Sequence, residues 1–214
     1  KIKLNAASGG GSFSLQAPSS SSNNRVITLP DIADGTLLTN QSTLDSTKLS
    51  PAITSGKILQ VVYGQKTDTA SVDLATATWW SIYNAGLQVS ITPSSASNKI
   101  LLMAQLTFSE GSGQIYMLRF EKNGAEITDI IGDAAGSRTR ATSLEDDMAS
   151  GAGRTTNLIA QVSAGDTNSR IYNVAIKHSS GLTRTIYLNR FYTDSDIQGN
   201  GRAISTITAM EIAA

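Results

Sequence analysis

From residue 57 onward, apolar residues recur at alternate positions in short runs separated by Gly, Asn, Ser or Pro. That period belongs to strands, whose side chains point in turn to opposite faces. The stretch at 203–214 organises the rest. It holds β-branched Ile and Thr and no Gly or Pro, which suits a pleated, half-buried surface. Ile204, Thr206, Thr208, Met210 and Ile212 share one face, and Ser205, Ile207, Ala209 and Glu211 share the other. Neither face is strongly polar. The pattern predicts the central strand of a sandwich that also meets a neighbouring subunit.

Further strands are predicted at 57–63, 87–91, 99–108, 114–122, 157–162, 170–177 and 185–190. Asn123 and Gly124 form a hairpin-turn dipeptide that pairs 114–122 with 125–127. Other turns fall at 92–95, 111–113, 165–166, 179–181 and 199–201. Strands joined by turns, with no amphipathic helical period, read as an antiparallel sandwich.

The first 39 residues differ. Short apolar words at 2–4, 13–15, 26–29 and 37–38 sit in a Gly/Ser matrix. Such words are too short to bury a core alone. Ser/Gly tracts also read as flexible linker. The even spacing favours three chains wrapping around one axis and pooling their words in a prism-like shaft. Residues 40–56 read as a linker in which Ser42 caps one helical turn and Pro51 stops it. Asn40, Gln41 and Ser42 match a glycosylation sequon, which matters only in a secretory pathway. The resulting domains are an N-terminal shaft or attachment segment (1–39), a linker (40–56) and a C-terminal sandwich (57–214).

Several second faces are apolar too. Leu101 and Met103 oppose the apolar face of 99–108, and Ile171 and Ala175 oppose that of 170–177. A monomeric sandwich alternates apolar-in with polar-out more cleanly, and large exposed apolar patches are avoided. A homo-oligomer that buries a second face resolves this. Ile207, Ala209, Met210, Ile212, Leu101, Met103 and Ile171 are the expected core and oligomer-interface residues.

Composition narrows the function. The 214 residues carry 17 Lys+Arg and 17 Asp+Glu, a formal net charge of +0. That argues against a nucleic-acid partner held by a basic field. With no Cys, there is no disulfide and no thiolate chemistry. No apolar run approaches the roughly 18 residues of a membrane span, so membrane insertion is not expected, and the first residues lack the apolar region of a signal peptide.

Six segments carry a family likeness. Residues 202–212 (RAISTITAMEI) resemble the ending of fibre proteins from tailed phages, notably marine and cyanobacterial ones. Residues 56–62 (GKILQVV) are similar to the opening strand of the same tip domain, and 89–101 (VSITPSSASNKIL) to its internal strand–turn–strand. KLN at 3–5, LQAP at 15–18 and TLP at 28–30 are similar to the shaft segments before such tips. The likeness runs in order along nearly the whole chain, though 138–153 matches nothing in it. It implies an all-β homotrimer, a short-stranded shaft followed by a jelly-roll tip of the tumour necrosis factor type. It also implies a virion location, another virion protein bound through the N-terminal segment, and a tip that meets host polysaccharide or protein. A capsid or neck decoration fibre, or a surface adhesin, is the alternative.

The chemistry expected of the chain is binding, not catalysis. His178 is the only His, and although Ser179 and Ser180 follow it, no nucleophile elbow is present, so it reads as structural or surface. A lone His makes no zinc site. Asp194, Asp196 and Gly199 mimic the first half of a calcium loop, but the closing position of such a twelve-residue loop is Ser205, not Glu. Glu145, Asp146 and Asp147 read as a solvated acidic run. No metal or cofactor is expected. A polysaccharide-degrading tailspike would need paired carboxylates on a large scaffold. Trp79, Trp80 and Tyr83 are candidates for sugar stacking, but adjacent strand residues face opposite ways, which favours one Trp in the core and one at a seam. The expected contact residues lie in two long loops. Arg138, Arg140, Glu145 and Asp146 fall in 129–154, and Tyr192, Asp194, Asp196 and Gln198 fall in 191–202.

Overall fold

The computed structural model describes residues 2–5, 8–10, 12–15, 57–111, 113–145 and 153–214. The apolar words at 26–29 and 37–38, the linker at 40–56 with its Ser42 cap and sequon, and Asp146 lie outside the described residues. The chain divides into two units, Lys1–Asp45 and Ser46–Ala214.

In the first unit, β1 (Ile2–Asn5) pairs antiparallel with β2 (Ser12–Leu15), Ile2 opposite Leu15. Gly9 and Gly10, at φ 84° and 69°, turn the chain between them. The first two apolar words thus meet each other as a hairpin within one chain.

The second unit is an all-β, jelly-roll-like sandwich of two 6-stranded antiparallel sheets. The first sheet runs β3 (Ile58–Lys66), β14 (Ser205–Ile212), β7 (Lys99–Ser109), β13 (Arg184–Leu188), β4 (Ala70–Leu74), with β11 (Gly153–Ser163) on the other edge of β7. The second runs β10 (Ser143–Glu145), β8 (Tyr116–Lys122), β12 (Arg170–His178), β5 (Trp80–Ser81), with β6 (Val89–Ile91) on β12 and β9 (Ala125–Glu126) on β8. The strand at 203–214 is central, as expected, lying between β3 and β7. The Asn123–Gly124 hairpin also forms, with φ 52° and 77° at those residues. β4, β5 and β10 had no counterpart in the sequence pattern, and the long loop expected at 129–154 is interrupted by β10 and by the first residues of β11.

The core fills the space between the sheets. Ile100, Leu102, Leu106, Phe108, Ile207 and Ala209 from one sheet meet Leu118, Phe120, Tyr172, Val174 and Ile176 from the other, all essentially inaccessible. Phe108 and Tyr116 pack edge to face with centroids 5.2 Å apart. Gly64 lets β3 approach the second sheet, since a Cβ there would stand 2.4 Å from the Gln88 carbonyl oxygen.

Asn189 is the polar staple of the sandwich. β13 and β14 share one edge of β7, so the chain must leave and re-enter that edge. Asn189, fully buried at φ 61°, makes the turn, a left-handed conformation that Asn tolerates better than most residues. Its Nδ2 donates to the carbonyls of Lys66 (2.8 Å) and Asp68 (2.9 Å), and its Oδ1 accepts from the Ser205 hydroxyl (2.7 Å).

The expected interface residues divide by face. Ile207 and Ala209 belong to the core, whereas Leu101, Met103, Met210 and Ile212 lie half-buried on the outer face of the first sheet. Ile171 is half-buried on the outer face of the other sheet. Ala175, expected to need a partner subunit, is fully buried by the chain itself. Trp79 covers that region, with the Arg119 guanidinium 4.2 Å from its ring centroid, while Trp80 enters the core.

Candidate contact surface

The end of the sandwich where β7 and β13 finish and β11 and β14 begin carries the loop 191–202. An arginine pair organises it. Arg190 and Arg202 form an isolated antiparallel bridge, and both guanidinium groups reach Asp194, Arg202 at 2.7 Å and Arg190 at 3.6 Å. The Arg190 guanidinium also lies 4.1 Å over the Tyr187 ring, and Tyr187 and Tyr192 are 6.4 Å apart between centroids. Tyr192 is seated on the backbone of Gly111, where a Cβ would fall 2.9 Å from the ring. Tyr192 nevertheless remains 42% exposed, while Asp196 and Gln198 are exposed.

Two shallow clefts flank this loop. One, of about 270 Å³, is lined by Glu110, Arg184, Tyr187 and Tyr192 among others. The other, of about 250 Å³, is lined by Thr107, Gly153, Arg190, Phe191 and Arg202 among others. Beneath the first, burial pushes the Tyr116 phenol well above its usual range, and the Glu110 carboxylate adds to the shift. Such a surface can stack against a ring, donate from guanidinium groups and accept at carboxylates.

The two candidate contact loops are only partly brought to one end of the sandwich. Glu145 comes to this end through β10 and meets Arg154 at 3.7 Å. Arg138 and Arg140 do not: Arg140 donates to the carbonyls of Gly132 (2.5 Å) and Thr128 (3.3 Å), and Arg138 to that of Ala135 (3.4 Å). These arginines brace their own loop. Asp194, the first residue of the calcium-like pattern, has its carboxylate engaged by two arginines. Sequence reading missed Tyr187 and Arg190 as members of the cluster. Their two-residue-plus-one spacing at the end of a predicted strand carries no motif, and only the meeting of β13 with the loop brings them together.

His178 is buried, as one of the two readings required. Its Nδ1 accepts from the Ser180 backbone amide (3.1 Å), so its Nε2 donates to the Leu74 carbonyl (2.8 Å). Among the described residues, both ring nitrogens are taken up by these backbone groups.

Residue by residue, the outer face of the first sheet is the other prominent surface. Val61, Met210 and Leu101 align across β3, β14 and β7. Tyr63, Thr208, Met103 and Ile159 form the next row, extending onto β11. Tyr63 is 58% exposed and Ile159 67%. Neither row contains a charge.

No family model and no curated protein matches the chain. Among solved structures, it is similar to a chain of the T13 viral particle of infectious bursal disease virus, at 10% identity and a TM-score of 0.38, over 72% of this chain and 36% of that one. It is also similar to a chain of the Gx strain of that virus, at 14% identity and a TM-score of 0.35, over 72% and 37%. The chain thus spans little more than a third of either neighbour. Both scores are too low to transfer a role.

Proposed function

We propose that the chain is a non-enzymatic structural protein of a virus particle: the tip of a trimeric fibre of a tailed phage, joined through its N-terminal segment to another virion protein and meeting the host surface with its loops. The observation that carries this reading is the uncharged apolar face formed by Val61, Tyr63, Leu101, Met103, Ile159 and Met210. Aromatic residues and Met are enriched, and charge depleted, at the core of subunit interfaces. A stable interface takes about 800 Å² from each partner, which a face spread over four strands can supply. Closed symmetry then accounts for a patch that a monomer would leave wet. The likeness of 56–62, 89–101 and 202–212 to phage fibre tips supports three copies rather than two.

Light scattering tests the assembly: three times the mass of one chain is expected, and a stable folded monomer at micromolar concentration rejects it. Antibody labelling of particles tests the location. Label on fibres with loss of adsorption after loop mutation supports host contact. Label with unchanged adsorption moves the decoration-fibre reading ahead. Reducing ends released from host polysaccharide would instead mark a depolymerase.

A further inference from the structure

We propose that the groove between the 3-10 turn Ile82–Ala85 and the β8–β9 hairpin turn binds a neutral pyranose ring of a surface glycan. The groove is about 410 Å³ and is lined by Ser81, Tyr83, Asn84, Asn123, Gly124 and Ile171. That volume falls within the range of about 300–1,000 Å³ typical of small-molecule sites.

The lining selects the ligand class. Tyr83 is 46% exposed and supplies an aromatic face, and Ile171 supplies an aliphatic wall. C–H-rich faces of sugar rings pack on such surfaces while their hydroxyls need donors and acceptors. Those are present. The Asn84 amide has no partner among the described residues. Asn123 uses Oδ1 to accept from the Ile171 amide (2.8 Å), which leaves its Nδ2 as a donor. The Ser81 hydroxyl oxygen accepts from Asn173 Nδ2 (2.7 Å), which leaves its hydrogen to donate. No lining residue is charged, so nothing offsets the desolvation of a uronate or sialate carboxylate.

The walls are fixed before any ligand arrives. Ile82, beside Tyr83, is buried in the core, and Gly86 at φ 87° closes the turn with a 2.8 Å bond from its amide to the Tyr83 carbonyl. Opposite, the Asn123 amide donates to the Ile171 carbonyl (2.8 Å) while its side chain accepts from the Ile171 amide, clamping the hairpin turn to β12 at two points. Fixed walls reduce the ordering cost that weakens small-ligand binding. The groove lies on the second sheet, so assembly through the apolar face of the first leaves it open, and three copies would add by avidity.

This site gives a ligand class to the host-contact reading, on which it rests for its setting, but on a different surface from Tyr192. Saturation-transfer NMR on the full chain with the methyl glycosides of glucose, galactose, mannose and N-acetylglucosamine tests it, with the methyl glycoside of sialic acid as the charged comparison. At least one neutral glycoside should receive saturation with millimolar affinity. Binding should fall fivefold or more in Tyr83→Ala and in Asn84→Ala, and stay unchanged in Lys57→Ala, an exposed position just before β3 on the other sheet. If Tyr83→Ala fails to fold, Asn84→Ala decides, since that exposed side chain has no partner among the described residues. Transfer to none of the neutral glycosides, undiminished binding in the variants, or preference for the sialoside overturns the site. Sugar binding by a chain that does not adsorb to cells keeps the site and removes the host-contact reading; adsorption without sugar binding does the reverse.

Discussion

The Ser205 hydroxyl donates a 2.7 Å hydrogen bond to Asn189 Oδ1 at the point where β13 gives way to β14 on the edge of β7. The same Ser205 oxygen accepts from the Thr107 amide at 3.0 Å. Four chain segments therefore meet at one buried amide, because Asn189 Nδ2 also holds the carbonyls of Lys66 and Asp68. Unmade bonds here leave buried groups without water.

Asn189→Ala should lower stability by about 2–4 kcal/mol, combining lost bonds with the poorer tolerance of Ala than of Asn for φ 61°. Asn189→Gly separates the two causes. It removes the backbone strain and keeps the loss of bonds, so it should recover only about 1 kcal/mol of that deficit. Urea unfolding of both variants measures this. Full recovery by Gly would assign the whole effect to the backbone.

Glu211 ties the last strand to the turn between β6 and β7. Its buried carboxylate accepts from Asn98 Nδ2 (2.6 Å), Gln60 Nε2 (2.6 Å), the Ser94 amide (2.7 Å) and the Ser94 hydroxyl (2.8 Å). Burial alone would push the carboxyl up; these donors outweigh it and hold it at about 2, against 4.5 for a free carboxyl. A depressed folded value means the unfolded chain binds the proton more tightly. The contribution to stability is therefore complete above pH 4.5 and is lost as pH falls toward 2. Urea midpoints of the wild type should drop across that window, and those of Glu211→Gln should drop less steeply. At pH 7 the Gln variant should be less stable by about 1–3 kcal/mol, since its amide NH₂ faces donors. Equal slopes in the two proteins would place the acid sensitivity elsewhere.

Ile207 and Met210 sit on the same strand but serve opposite faces. Ile207→Ala should destabilise the folded chain by about 2–5 kcal/mol, because it empties a fully buried position between the sheets. Met210→Asp should leave the isolated fold intact, since the side chain is half-exposed and solvent can reach the charge. If the apolar face is an interface, the same change should abolish assembly, as an unpaired charge is costly to bury. Circular dichroism and light scattering on each variant separate folding from association. An unfolded Met210→Asp monomer would mean that position belongs to the core.

The alternation at 203–214 made the central strand legible, and the faces of Ile207 and Met210 followed from it, because period two is a local property of the chain. Asn123 and Gly124 were equally legible, since the turn needs φ > 0 at both. β5 is only Trp80–Ser81 and β10 only Ser143–Glu145, too short for any period to show. Ala175 misled for a different reason. An apolar residue on a second face can be covered by a partner or by the chain's own loops, and only the tertiary position of Trp79 and Arg119 shows the latter. The contact cluster was half visible. Tyr192 and Asp194 stood in a recognisable loop, whereas Arg138 and Arg140 looked the same in composition and turned out to be tied to backbone carbonyls.

Tyr192 and Asp196 are the residues of the loop at 191–202 through which the host-contact reading can be tested without breaking its frame. The frame is Asp194 between Arg190 and Arg202, together with the Arg190 stack on Tyr187. Asp196 is exposed, and Tyr192 rests on Gly111 without entering the core. Combining Tyr192→Ala with Asp196→Ala should therefore change stability by no more than about 1 kcal/mol, as is usual for surface positions. Loss of an exposed aromatic and a carboxylate from each copy should weaken every single contact, and repetition in an assembly multiplies that loss. Adsorption of the labelled protein to host cells should fall tenfold or more while the assembly keeps its mass in light scattering. Asp194→Ala serves as the contrast, because it releases two arginines and should disorder the loop as well. If the double variant adsorbs as well as the wild type while Asp194→Ala does not, the loop's shape matters and these two side chains do not. If neither change reduces adsorption, the host is met through another surface, and the groove at Tyr83 becomes the next to mutate.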